Sequence, residues 1–594
     1  MSDVRQELEH VRKLATANPD KRFNRLYRLV CQSEFLMLAW DEIRQNSGSR
    51  TPGVDGQTRA DVDEALIAQL SDELKTGTYR PKPLRRKYIP KKNGKKRALG
   101  IPTIRDRIAQ SAAALILNAL YEPNFLPCSH GFRPNRCTIS ALRQVGYCYK
   151  AGADWIVEGD IKSCFDDMSH TVILDTLRKR IKDERFMTLI ARFLTSGVME
   201  DLEFRNTYSG TPQGGIVSPV LANIVLHEFD VWMETKIGAN PPRESNQTYR
   251  QRQTPAYRQL THRIKYVRAQ LKRGEPFPKG RTAAELKAEE KRLVRERQQV
   301  SPSTRRRAIY YVRFADDFLV ILCAASKAEA QTLKDGMSNW LTENLGLTLS
   351  TEKTLVTHAS EKLRFLGYDV QGLRNPNGTR WARFTIPADA KRRVIEKVQQ
   401  ATRYRHAPEL DTFMNVNAQV RGWSNYYRYA HDARESFGKL TTIVYWQTMN
   451  YLSRKHNISP RKVMRQRYRR DPETGHMALF TQHPGGNPYF IWNKPPKYLS
   501  MLSVGGYAND QVPYVTTMWA DGHSVEKKAQ LVVAAEGRCE DCGQEGALFA
   551  HHPKRLRNAS RTSRAQAASG YEQQGKLLCH ACHLAHHQGD TSRQ

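Results

Sequence analysis

The sequence predicts an α+β protein of several domains. Three observations carry that reading. The chain has 594 residues, far more than one hydrophobic core can organise. Apolar runs of strand length and longer stretches of helical periodicity follow one another without strict alternation. Two close cysteine pairs, Cys539/Cys542 and Cys579/Cys582, set the C-terminal residues apart as a small unit of their own.

Taken in order, residues 1–45 read as helices with basic faces. The start MSDVRQELEHVRKLA has the polar pattern of a helix and not of a signal peptide. RTPGVDGQT (50–58) is Pro/Gly turn chemistry, leading into an amphipathic helix that runs to about Leu74. RRKYIPKKNGKKRALGIPT (85–103) reads as two short strands around the basic turn KKNGKK. RDRIAQSAAALILNALYEP (105–123) is helical until Pro123, because proline lacks the amide that a helix interior needs. In DWIVEGDIKSCF (154–165) a short apolar strand ends at Asp160. HTVILDTLRKRI (170–181) returns to helical spacing, and YSGTPQGGIVSPVLANIVLHEFDVWM (208–233) is a glycine-rich turn running into a helix. The charged segment 235–307 reads as an insertion, either a solvated spacer or an RNA-contacting arm. YYVRFADDFLVIL (310–322) has the pattern of a β-hairpin with Asp316 and Asp317 in its turn. A helix at 326–345 and a strand LRFLGYDV (363–370) follow. Residues 385–470 are helical again, with aromatics among Arg and Lys; Trp423, Tyr426 and Trp446 are expected in the core and the basic faces against phosphates. A Pro/Gly/aromatic-rich connector occupies 481–530.

The formal net charge is +34, from 94 basic and 60 acidic side chains. Such an excess suits a polyanionic partner, nucleic acid before membrane. No apolar run is long enough for a transmembrane helix. Cys31, Cys128, Cys137, Cys148, Cys164 and Cys323 are scattered, and most are expected as core thiols.

Two adjacent aspartates in an apolar hairpin are costly unless something neutralises them, and a bound divalent cation does so most directly. Asp160 ends a separate apolar strand. Carboxylates from separate strand ends can converge at one sheet edge and hold a pair of Mg²⁺ ions for nucleotidyl transfer.

GDIKSCFDD, TPQGGIVSPVLAN, YVRFADDFLV, LTLSTEKT and LRFLGYDV occur in the order of the sequence blocks of reverse transcriptases, which the chain resembles. The upstream blocks TPGVDGQT, IPKKNGKKRALGIPTIRDRIAQ and SHGFRPNRCTISAL are similar to those of group II intron-encoded reverse transcriptases in particular, as are the long spacer and RGWSNYYRYA. The resemblance covers residues 1–470. It implies right-hand polymerase fingers and palm over 1–384 with a mixed or antiparallel palm sheet. A helical thumb, the maturase X region, would occupy 385–480, followed by a DNA-binding connector over 481–530. It implies Asp160 and Asp316 as Mg²⁺ ligands, the Ile161 carbonyl as a further ligand and Asp317 as the adjoining carboxylate. Phe165 falls at the family's sugar-gate position, where an aromatic face clashes with a ribose 2′-hydroxyl. Gln213, Gly214 and Gly215 match the loop that lets backbone approach nucleotide and template. Arg97 and Lys91 match basic residues near the triphosphate.

Four thiolates at the spacing of Cys539, Cys542, Cys579 and Cys582 suit a closed tetrahedral Zn²⁺ site, which would supply much of the folding energy of residues 531–594. His551 and His552 lie between the pairs, and His583 and His587 stand four apart after them. This resembles the ββα HNH nuclease module. His552 would be the general base, and His551, His583 and His587 would hold a catalytic Mg²⁺ or Mn²⁺. His586 reads as a surface residue. The module's central Asn is missing from YEQQGKLLC, and Asn558 is displaced from its place. The alternative is a zinc knuckle that only grips DNA.

The resemblance therefore implies a reverse transcriptase, RNA maturase and DNA endonuclease, acting as a ribonucleoprotein with its group II intron RNA. It would nick target DNA and extend the exposed end with dNTPs, as a monomer or homodimer, in the cytoplasm or nucleoid of a bacterium, with no membrane partner. A retron or diversity-generating reverse transcriptase is opposed by the C-terminal Cys/His cluster. A splicing-only RNA-binding maturase is opposed by the intact aspartates.

Overall fold

Asp63 accepts a hydrogen bond from the Leu66 amide at 2.8 Å and starts the helix Glu64–Thr76, which stops where Gly77 turns left-handed. The structure is a computed structural model that describes residues 2–90, 96–200, 203–205, 214–241, 253–274, 277, 280–300, 306–375, 380–483, 486–500, 548–551 and 576–579. It divides into two units, Met1–Phe384 and Thr385–Gln594.

In the first unit, helices Ser2–Ala17 and Ser33–Ile43 precede Glu64–Thr76. Strands β1 (Leu84–Pro90) and β2 (Lys96–Ile101), on either side of the basic stretch KKNGK, pair antiparallel. Helix Ile104–Tyr121 is buried along nearly its whole length, which explains its alanines. Its Arg107 donates to the carbonyls of Pro102, Gly48 and Thr51, tying the Pro/Gly turn to the helix. β3 (Ala153–Asp160) follows, then β4 (Val198–Glu200) and β5 (Glu203–Arg205), which extend the first hairpin in the order β2-β1-β4-β5.

β6 (Ala308–Phe314), β7 (Asp317–Cys323) and β8 (Val356–His358) join β3 in an antiparallel sheet of order β6-β7-β3-β8. Helices Ser218–Thr235 and Lys327–Leu345 supply an aromatic cluster against it, in which Phe229 meets Trp232, Trp340, Tyr311 and Phe318. A third sheet holds β9 (Lys362–Phe365), β10 (Tyr368–Arg374) and β11 (Arg380–Thr385). The single strand expected over 363–370 is thus corrected to a hairpin. Leu366 (φ 46°) and Gly367 (φ 75°) both adopt left-handed backbone, the conformation that closes a two-residue turn.

The insertion folds as two helices, Pro255–Arg273 and Ala283–Gln299, over a small core of Ile264, Val267, Phe277, Leu286 and Leu293. Of the scattered cysteines, Cys137 is exposed and the other five are buried. Among the described residues no helix is long and apolar enough to cross a membrane.

The second unit has helices Ala388–Ala401, Glu409–Tyr427, Ala433–His456 and Pro460–Arg467. β12 (Tyr468–Arg470), β13 (Met477–Gln482) and β14 (Pro488–Phe490) follow, so the chain turns to strand after Arg467. Leu479, Ile491 and Trp492 share one core with Phe413, Val444 and Leu452, carrying that core past residue 480. Trp423 packs on Tyr427 and Phe437, but Tyr426 and Trp446 are 37% and 53% exposed, against expectation. The helix faces explain it. Phe413, Val416, Val420 and Tyr427 define the buried stripe of one helix, and Leu440, Val444 and Leu452 that of the other. A residue one or two positions off such a stripe is turned away by about 100° per step. β15 (Leu548–His551) and β16 (Lys576–Cys579) form an antiparallel pair.

Candidate active site

Asp160, the last residue of β3, pairs with Asp317, the first of β7. Asp316 lies in the turn between β6 and β7, next to Ala315 at φ 57°. The Asp316 carbonyl accepts from the Ile161 amide at 3.2 Å, and the Asp160 carbonyl accepts from Ser350 at 2.8 Å. Asp160 and the adjacent pair Asp316/Asp317, far from it in sequence, therefore meet at one end of the sheet. Burial pushes the Asp317 carboxyl up to about 8, and the charges of Asp160 and Asp316 add to the rise. Burial likewise pushes the Cys164 thiol up to about 12, with Asp316 adding, so it stays protonated. Lys353 Nζ lies 2.8 Å from Asp160 Oδ2, and this ammonium already stands as a cation beside the acids. Among the described residues no three His, Cys, Asp or Glu side chains form a metal cage. Asp160 and Asp316 nevertheless offer the hard oxygen donors that Mg²⁺ takes.

Beneath the acidic turn lies a group of residues the sequence reading did not single out. Arg313 and Asp230 are both fully buried. The guanidinium grips Asp230 with two bonds, Nε at 2.7 Å and Nη2 at 2.6 Å. Its other hydrogens go to Asn223 Oδ1 at 3.1 Å, the Ala315 carbonyl at 3.0 Å and Ser129 Oγ at 2.9 Å. All five donors of the side chain are thus used. Burial alone pushes the Arg313 pKa down; the Asp230 carboxylate outweighs it and the net direction is up. Tyr311 also donates to Asp230 at 3.1 Å. The Ala315 bond holds the left-handed residue that immediately precedes Asp316. A lone charge inside each of two apolar runs, FDVW and YVRF, was the available signal.

Around this centre the expected residues fall as follows. Phe165 lies on the four-residue helix Cys164–Asp167, half-buried, with its ring edge-on to Phe132. Gly214 has φ 117°, and a Cβ there would meet the Gly100 carbonyl of β2 at 2.4 Å, so this glycine loop packs directly on the first hairpin. Gln213 and Lys91 lie outside the described residues. Arg97 is placed on β2 opposite Ile89, by its backbone alone. Cys539, Cys542, Cys582, His552, His583 and His587 also lie outside the described residues. His551 pairs with Lys576, and Cys579 with Leu548, at opposite ends of the β15–β16 pair.

Comparison with known proteins adds the following. The sequence profile of the family described as reverse transcriptase (RNA-dependent DNA polymerase) matches residues 89–250 and 292–370. The profile described as group II intron, maturase-specific domain matches 391–469. The chain is 40% identical to the group II intron-encoded protein LtrA of Lactococcus lactis subsp. cremoris, over 62% of this chain and 60% of that protein. It is 34% identical to protein YkfC of Escherichia coli K12, over 65% of this chain and 93% of that protein. It is 26% identical to an uncharacterized 91 kDa protein in a cob intron of Schizosaccharomyces pombe, over 98% and 72%. The chain spans 60% of the length of the first of these relatives.

Proposed function

The chain belongs to the group II intron reverse transcriptase and maturase family, and from that we propose that it is an RNA-directed DNA polymerase working as a ribonucleoprotein with its intron RNA. The convergence of Asp160, Asp316 and Asp317 at one sheet end carries the reading. Asp160, Asp316 and the Ile161 carbonyl would hold the divalent cation. Bound there, Mg²⁺ would ease ionisation of a primer 3′-hydroxyl and balance charge on the departing pyrophosphate. The protein's own residues would position the reactants. Phe165 would set its face against the sugar and exclude a 2′-hydroxyl. Gly214 would leave room for nucleotide and template, and Arg97 and Lys91 would face the triphosphate. Arg313 would hold the turn that presents Asp316.

The basic faces of the helices in 391–469 would bind the intron RNA and steady its fold, with no chemistry of their own. The segment 531–594 would use four zinc-bound thiolates as a scaffold and His552 as the base that nicks target DNA, freeing an end for extension by dNTPs. Primer extension on an RNA template tests the polymerase. Product from the wild type and none from Asp316→Ala is the expected result. Equal product from both would overturn the assignment, and none from either would leave only the RNA-binding role.

A further inference from the structure

We infer that Phe132 is a specificity-determining residue of the polymerase site, the support behind the Phe165 sugar gate; this rests on the reading of Phe165 as that gate. Phe132 has φ 56°, a left-handed backbone that a bulky side chain rarely adopts, and the residue is 55% exposed. Neither backbone preference nor burial accounts for an aromatic residue there. Strain that persists in this way is held by its surroundings, and such strain clusters at functional sites.

The turn is fixed on both sides. Before it, the His130 amide donates to the Arg313 carbonyl at 2.8 Å, and Asn223 Nδ2 donates to the Gly131 carbonyl at 2.8 Å. Gly131 passes so close to the acidic turn that a Cβ would lie 2.5 Å from the Ala315 amide nitrogen. After it, the buried Arg133 pairs with Glu122 at 2.9 Å and donates to the carbonyls of Leu126 and Ser129. The ring this turn projects meets Phe165 edge to face, with centroids 6.4 Å apart and planes at 84°. Phe165 itself sits on a helix of four residues, entered through Ser163 at φ 45°. One helical turn is a weak element without outside support. Phe132 supplies that support and keeps the Phe165 ring from yielding to a ribose 2′-hydroxyl.

The test measures discrimination between a deoxynucleotide and its ribonucleotide in primer extension, as the ratio of kcat/KM. Phe132→Gly removes the ring and the backbone strain together, so a folding defect is not the expected cause of any change; a thermal melt checks this. Discrimination should fall about two- to tenfold, the scale of one edge-to-face ring pair. The loss should come through a lower KM for the ribonucleotide, and Phe132→Tyr, which keeps the ring, should restore discrimination. In a Phe165→Val background, which should itself admit ribonucleotides, Phe132→Gly should add nothing. If Phe165→Val loses discrimination while Phe132→Gly keeps it, or if the two losses add independently, the support role is overturned and the gate stands. If Phe165→Val leaves discrimination intact, the gate reading fails and takes this inference with it.

Discussion

Arg313 is the residue on which the acidic turn hangs, and its energetics decide what its loss does. Removing one partner of a buried ion pair strands the other charge, at a cost of about 3–5 kcal/mol. Arg313→Met should therefore lower the thermal melting midpoint of the first unit sharply. Replacing both partners, Arg313→Met with Asp230→Leu, should recover much of that stability, since well-packed apolar groups often match a buried pair. Extension activity should stay low in the double variant, because the Ala315 carbonyl has lost its donor. Recovery of both together would reduce the pair to simple packing. His130 gives a pH prediction. Its ring lies between Ser140 Oγ at 2.8 Å and Gln144 Oε1 at 2.6 Å, and burial pushes its pKa down to about 3. The folded protein thus refuses a proton that an unfolded histidine takes up below about 6.5. The associated stability is present above that value and is lost as pH falls toward 3. By pH 5 the loss from this residue should reach about 2 kcal/mol, read as a shift in urea midpoint that His130→Asn reduces. Asp160, Asp316 and Asp317 were legible because two adjacent charges in an apolar hairpin demand a reason. Arg313 and Asp230 were not, since a lone charge on a strand or helix can always be imagined facing water, and only the fold shows that these two face each other.

At the level of elements, turn and cap chemistry made most boundaries readable. The start of β2 after the basic stretch, the helix end just before Pro123 and the strand ending at Asp160 all follow from local rules. The β9–β10 turn did not, because Leu366 is a poor residue for left-handed backbone and tertiary context imposes it there. Trp446 and Tyr426 were misread for a related reason: aromatic content was visible, but the phase of each helix was not. The insertion was open between spacer and arm, and its helix Pro255–Arg273 has a feature that tests the choice. It contains no acidic residue. Arg263 and Arg268 bridge to Glu289 and Glu290 of the following helix, whereas Arg258, Lys265 and Lys272 are exposed along one stripe. Changing these three to Gln should weaken RNA binding and flatten the slope of log K against log salt by about 2–3, near one phosphate per charge. Fluorescence anisotropy at several salt concentrations measures it, and an unchanged slope would make the helix a solvated spacer.

For the whole molecule, division at Phe384/Thr385 and the remote cysteine pairs lead to a prediction of independence. A strong zinc chelator, followed by excess Mg²⁺, should abolish nicking of target DNA and leave primer extension intact. Loss of both activities together would mean that the thiolate site also upholds the polymerase. The order of a reverse transcriptase region before a maturase region was readable from motifs and spacing; the joining of distant segments was not, because pairing partners leave no local mark. Arg313 bonds to Ser129, 184 positions earlier, and Lys353 reaches Asp160 across 193. Closing such loops is a late and slow step. A ribosome must therefore have released just over half of this polypeptide, through β7, before the acids can gather. On the proposed function, a nascent chain or a proteolytic stump ending short of β7 would have no premature copying activity to let loose on the cell's transcripts.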